Sequence, residues 1–493
     1  MKDVRVRFAP SPTGYLHIGS LRTALYDYLF AKKNKGSYIL RLEDTDQGRF
    51  VEDAARNLVD WLRWAGVEHD EGLFFDENGK AYEKGEYGPY IQSKRLDIYK
   101  EHIDKLLKSG DAYYCFCDKE RLNKVREIQK QNGETPKYDG HCRELSKEEI
   151  EKNLKEGKPY VIRLKLPLDT DIVFKDAIRG EITVNTRDLD DQVLMKSDGF
   201  PTYHFAAIVD DHLMKISHVF RGEEWLPSAP KNIYTFKVLG WEAPEYVHLP
   251  TVLNKDRKKL SKRQGDVSVE DFAKQGYLKE GLVNYLALVG WSPDSNQEIF
   301  NMEELIEAFS LNRLSNTGGI FDREKLNWVN GQHIKKMDVN ELTNLAKPYL
   351  LEGGLLKEDN YDDNYAKLLV QTVQEKIAVL SEIQGQVEFL LNDDLTFENE
   401  ETKQIFEGET IPLLMETFKK HVLEQEVLSH EFCKGIFKVI QKETGIKGKN
   451  LYMPLRAMVT GQLHGPDLGA IFELLGKEKI IKRIDYCQKM FLK

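Results

Sequence analysis

The chain has 493 residues, with 71 Lys and Arg against 81 Asp and Glu and a formal net charge of −10. Its length predicts about three or four domains at roughly 100–200 residues each, and 41% hydrophobic with 31% charged residues excludes a disordered chain. No run reaches the ~18 apolar residues of a membrane span, and the opening MKDVRVRFAPSP lacks the apolar core of a secretion signal. The expected setting is therefore the cytoplasm, away from membranes, with the five cysteines reduced. The net acidity by itself argues against a nucleic-acid partner.

In chain order, residues 4–9 (VRVRFA) alternate and predict a strand, broken by Pro10, Pro12 and Gly14. Leu21, Ala24, Leu25, Tyr28 and Leu29 then recur at helical spacing. Residues 38–46 (YILRLEDTD) predict a second strand running into acids, and Ala54, Leu58, Trp61 and Leu62 mark a helix. Strand–loop–helix–strand–helix is the opening of a parallel α/β sheet. Residues 111–187 differ. They hold three cysteines, a highly charged helix (119–131) and short alternating runs at 160–167 and 180–186, and predict an insertion in the sheet. Residues 192–225 resume α/β character, and 246–254 (YVHLPTVLN) predict another strand before a basic loop. Beyond residue 267 the pattern turns helical, with breaks at 353–354, 392–394 and 445–450. Cys433 and Cys487 sit on apolar faces and are expected in the core.

Three groups of residues carry chemistry. In RFAPSPTGYLHIGS (7–20) a strand ends in a Pro/Gly loop and a helix begins at His17–Gly19. Helix starts attract phosphate through free N–H groups and the dipole; no GxxxxGK[ST] string is present. The loop NKDRKKLSKR (254–263) carries a local charge of +5, suited to a triphosphate on which charge builds up. The trio Cys115, Cys117 and Cys142 is a partial zinc signature with His141 and Glu144 as nearby fourth donors.

APSPTGxLHIG resembles the HIGH signature of class I aminoacyl-tRNA synthetases and, more narrowly, the version of bacterial glutamyl-tRNA synthetases, with Ser20 at the fourth HIGH position. KLSKR resembles the KMSKS loop, with Leu260 for Met and Arg263 for Ser. The two motifs lie ~240 residues apart in the family's order. The resemblance implies His17, Lys259 and Lys262 as catalytic residues, and Pro10, Gly14, Gly19, Ser20, Glu224 and Ser261 at ATP. Glutamate has two carboxylates and one ammonium, so its pocket needs about two cations and one anion. Arg7, Ser11, Glu43, Tyr203 and Arg221 lie in segments that line the family's glutamate site. Arg7 and Arg221 are expected at the carboxylates and Glu43 at the ammonium. Ala207 stands where some members carry a polar residue. Some members bind zinc through C-x-C-x24-C-x-H, and the spacing here is the same with Glu144 for the final His.

The implied fold is a Rossmann-type catalytic domain (1–110 and 188–254) holding an α+β acceptor-stem insertion (111–187). A stem-contact region (255–330) and an all-α anticodon region (331–493, divided near 430) follow. The implied reaction is ATP- and Mg²⁺-dependent activation of L-glutamate and its transfer to tRNA(Glu), by a monomer. In discriminating members of the family an Arg can sit in the helix at about 365–380; no Arg occurs from 331 to 430, and the resemblance thereby implies tRNA(Gln) as a second substrate. Competing readings are a glutaminyl-tRNA synthetase, which typically has a PEPN-type string and β-barrel anticodon domains, and a non-catalytic tRNA-binding paralogue, which would lack His17 or Lys262. Regional charge removes the opening objection to a nucleic-acid partner. Residues 331–430 carry −11, but 431–493 carry +6. Local basic faces can hold an RNA without a global positive field.

Overall fold

A computed structural model of the chain describes residues 3–46, 51, 53–260, 267–392 and 394–492. It contains two compact units: Met1–Asp271 with Val283–Asp322, and Phe272–Leu282 with Arg323–Lys493.

In the first unit, β1 (Arg5–Phe8), β2 (Ser37–Leu40) and β3 (Glu71–Phe75) run parallel, with β4 (Ala81–Lys84) antiparallel at the edge. Helix α1 (Ile18–Lys33) makes the crossover from β1 to β2 and buries Leu21, Ala24, Leu25 and Leu29, the face expected from their spacing. The three-stranded sheet joins β5 (Ala112–Cys115), β6 (Val161–Leu164) and β9 (Val193–Met195). A further sheet has the order β10 (His218–Gly222), β11 (Glu245–Leu249), β7 (Asp171–Asp176), β8 (Gly180–Asn185). Ser217, just before β10, donates its N–H to Arg5 O at 2.8 Å and accepts from Arg5 N at 2.9 Å. β10 therefore lies beside β1. The chain leaves β1 toward β2 on one side and returns on the other, and ligands bind α/β sheets at such a switch point.

Arg7, in the alternating run of β1, is 3% exposed, because a parallel sheet is covered on both faces. The strands of 111–187 are divided between two sheets: β5 and β6 pair with β9, while the β7–β8 hairpin joins β11. The charged helix Lys119–Gln131 forms as expected, capped by Asp118, and buries no residue.

The second unit is helical. Helices Val339–Glu352, Asp363–Val373, Ile411–Leu423, His430–Thr444, Lys449–Thr460 and Leu468–Phe491 share one apolar core, with Leu350, Leu369, Phe418, Ile436, Leu455 and Phe472 among its residues. The core continues across residue 430, and Cys433 and Cys487 lie within it. Gly445, at φ +76°, ends the helix before it, a left-handed position that a Cβ would strain. No helix among the described residues is long and apolar enough to cross a membrane.

Inside α1, Asp27 is fully buried and neither carboxylate oxygen has a hydrogen-bond partner among the described residues. Burial raises this carboxyl well above its ordinary value, with Arg7 opposing and Asp211 adding. The folded chain therefore keeps a proton that the unfolded chain releases above about pH 4. Stability from this group is full below that pH and is lost as pH rises toward the folded value. Asp27→Asn is expected to raise the unfolding free energy measured by urea titration at pH 8 by roughly 1.4 kcal/mol or more, one pKa unit's worth, and much less at pH 4.5. Equal effects at both pH values would contradict a protonated Asp27.

Candidate functional site

The ends of the parallel strands converge on one site. Arg7 lies near the end of β1, Arg41 and Glu43 follow β2, Arg221 lies near the end of β10, and Tyr203 opens helix Tyr203–Leu213. Arg7 Nε donates to Asp211 Oδ1 at 3.0 Å, and Nη1 to Phe220 O at 3.3 Å. Arg41 Nη1 reaches the same Asp211 oxygen at 2.7 Å, while its Nη2 holds Glu43 Oε1 at 2.9 Å. Glu43 Oε2 is buried and has no hydrogen-bond partner among the described residues. Burial pushes the Glu43 carboxyl up to about 7, against the pull of Arg41 and Arg7.

Arg221 donates Nε–H to His248 Nε2 at 2.9 Å and stacks over Tyr246, 4.5 Å from the ring centroid. The Tyr203 ring packs on Trp225 at 4.5 Å. Burial, then the Glu43 charge, pushes the Tyr203 hydroxyl up to about 12, while Arg221 and Arg7 pull it down. Arg7, Glu43, Tyr203 and Arg221 thus share one electrostatic environment. Ser11 lies exposed in the loop after β1, its carbonyl accepting from Thr13 N at 2.8 Å. Pro10 O accepts from Glu43 N at 3.0 Å, which ties that loop to the acid.

His17 is the N-cap of α1 and its Nδ1 accepts from Gly19 N at 3.0 Å. In the neutral ring the proton then sits on Nε2. A Cβ on Gly19 would stand 3.3 Å from His17 Nδ1, so glycine leaves this cap room. Ile18 N donates to Val267 O at 2.9 Å and Val269 N to Leu16 O at 2.9 Å, pinning the α1 start to 267–269. On the other flank of the basic loop, Leu260 N donates to Val252 O at 3.0 Å and Lys259 is exposed. Ser261 and Lys262 lie outside the described residues. Gly14, Ser20 and Glu224 are on the surface or half-buried, Glu224 in the turn of helix Glu223–Ser228.

The sulfurs of Cys115, Cys117 and Cys142 lie within 4.8 Å of one another, the arrangement of a metal site. Glu144 does not join them. Its side chain is 81% exposed and pairs with Arg143 and Lys165, each at 3.7 Å. The Tyr138 hydroxyl takes the inner place, 3.4 Å from Cys115 Sγ and 3.8 Å from Cys117 Sγ. His141 is likewise exposed.

Sequence reasoning missed Arg41, Asp210, Asp211, Asp176 and His248. Asp210 accepts from Arg95 at 2.7 Å, Tyr99 at 2.8 Å and Gln92 at 2.9 Å, all buried. One signal existed: two adjacent acids in the apolar helix AAIVDDHL, since buried acids require cationic partners.

Residues 3–328 match the family described as class I tRNA synthetases (E and Q), catalytic domain, and residues 341–487 match an anticodon binding domain. The chain is 57% identical over 492 residues to the glutamate-tRNA ligase of Clostridioides difficile, covering 99% of this chain and 100% of that one. It is 52% identical over 488 residues to that of Finegoldia magna, covering 98% and 99%. The crystal structure of a glutamate tRNA ligase from Elizabethkingia meningosepticum in complex with its amino acid superposes with a TM-score of 0.88 at 37% identity, over 99% of this chain and 100% of that one. The chain therefore belongs to the class I glutamate- and glutamine-tRNA synthetases, among their bacterial glutamate-tRNA ligases.

Proposed function

We propose that the pocket at the ends of β1, β2 and β10 binds L-glutamate, with Arg7 and Arg221 at its carboxylates, Glu43 at its ammonium, and Ser11 and Tyr203 fixing its orientation. The observation that carries this reading is the buried Glu43 oxygen left unpartnered among the described residues, between two arginines. An ammonium satisfies it, and an uncharged ligand group does so less well.

The reaction has two steps. A glutamate carboxylate oxygen attacks the α-phosphorus of ATP and pyrophosphate leaves. A terminal ribose hydroxyl of tRNA(Glu) then attacks the carbonyl carbon of the glutamyl-adenylate and AMP leaves. Neither step needs a covalent enzyme nucleophile, so rate comes from positioning and from stabilising the phosphoryl oxygens. The α1 start with Pro10, Gly14, Gly19 and Ser20, the Nε2 proton of His17, and Glu224 line the ATP side. Lys259, Ser261 and Lys262 supply a loop whose flanks are anchored at Val252 and at the α1 start. Mg²⁺ bound with ATP would supply charge neutralisation at its phosphates.

Zinc fits the three sulfurs. Hydrogen bonding from Cys142 outweighs burial and lowers the Cys115 thiol to about 4, which favours a thiolate. Cys115, Cys117 and Cys142 would hold the ion, with the Tyr138 oxygen beside them, and the ion would staple residue 115 to residue 142 rather than take part in the reaction.

Glu43→Gln should raise the glutamate KM in tRNA charging about 10–100-fold; an unchanged KM would remove Glu43 from the pocket. Lys262→Ala should lower kcat about 100-fold with little change in glutamate KM. Chelator-washed protein should retain about one zinc per chain by metal analysis, and a value well below one would exclude the site. The absence of Arg from 331 to 430 predicts glutamylation of tRNA(Gln) as well as tRNA(Glu). Charging the two transcripts side by side decides it, and no glutamyl-tRNA(Gln) would refute relaxed discrimination.

A further inference from the structure

Arg221 is held from behind by two fully buried residues with no place in the scheme above. Its Nε–H donates to His248 Nε2 at 2.9 Å. An arginine cannot accept, so Nε2 of His248 carries no proton and the ring is neutral, with its proton on Nδ1. That proton goes to Asp176 Oδ2, 2.7 Å away, which also accepts the His248 backbone N–H at 3.1 Å. The other Asp176 oxygen accepts from Ile178 N at 3.0 Å and Arg179 N at 2.9 Å, the turn of the β7–β8 hairpin. Asp176 is fixed in turn by pairing of β7 with β11, where it sits opposite Tyr246, the residue whose ring lies under Arg221. Both Asp176 and His248 are 0% exposed.

We propose that His248 and Asp176 are positioning residues for amino-acid selection, setting the tautomer and direction of the acceptor that orients Arg221. The inference rests on Arg221 being a glutamate-binding residue. Its consequence is geometric. Nε faces His248 and one Nη2 proton faces Trp225 O at 3.4 Å, so a substrate carboxylate meets the end-on edge formed by Nη1 and Nη2. Burial, then repulsion from Arg221, outweighs Asp176 and lowers the His248 ring below its ordinary value, in keeping with a neutral ring. For Asp176, burial is outweighed by the His248 and turn N–H groups, which hold it below the usual carboxylate range.

Two substitutions separate the roles of the imidazole. His248→Asn keeps an N–H near the Nδ1 position for Asp176 but offers Arg221 no acceptor. His248→Gln places an amide oxygen near the Nε2 position for Arg221. The KM for glutamate and for ATP, and kcat, are measured in tRNA charging by the full chain with Zn²⁺ in the buffer. The Asn variant should raise the glutamate KM about tenfold, with kcat and the ATP KM within about twofold, and the Gln variant should recover most of that loss. A merely structural histidine, anchored to Asp176, would favour Asn over Gln or lower kcat without moving the glutamate KM, and either result overturns the proposal. Arg221→Lys is the control: an unchanged glutamate KM there would overturn the pocket assignment itself. A raised KM there with an unchanged KM in the Asn variant would overturn the positioning role alone.

Discussion

The buried ion cluster at the sheet's switch point is the constraint on which the site depends. Asp211 receives Arg7 and Arg41, and Arg41 also holds Glu43. Each of these four side chains is almost wholly out of water. A lone charge there would be costly, so each is tolerated only with its partners in place. The pairing is incomplete in one respect: a Glu43 oxygen remains unsatisfied among the described residues. The sheet thus arrives at the site with its anion and its cations already desolvated and oriented, so little reorganisation is left for ligand binding.

The proposed phosphate side is built differently, from backbone. His17 caps α1 with its own Nδ1, and hydrogen bonds from Ile18 and Val269 tie that helix start to the segment leaving the basic loop. A capped helix start tied to residues 267–269 suits the phosphate role proposed for it. The proposed amino-acid side instead uses fixed guanidinium–carboxylate geometry, which suits discrimination of one amino acid from its amide.

Much of the first unit was legible in sequence because its elements announce themselves locally. The charged helix 119–131 has a capping Asp and a run of charged residues, and no residue of it is fully buried. The Pro/Gly loop and His17 mark the junction of β1 and α1 by turn and cap chemistry. Strand order was not legible, because register between distant strands leaves no local trace. The β7–β8 hairpin reads as part of an insertion and pairs instead with β11. The place of the expected fourth zinc donor was not legible for a related reason: Glu144 is near the cysteines in sequence, but it pairs with Arg143 and Lys165, and Tyr138 stands at the sulfurs.

By itself the sequence determined the class of chemistry, because the strings at 7–20 and 254–263 carry the resemblance to the family to which the chain belongs, and the proposed pocket draws on short strings of the same kind. Only the tertiary structure decided how those residues are held. Asp211 for Arg7 and Arg41, Asp210 for Arg95, and His248 with Asp176 for Arg221 come from segments up to 204 residues away. The physical reason is desolvation. A charge buried at the ends of parallel strands must be neutralised by whatever the fold brings beside it, and sequence spacing does not encode that neighbour.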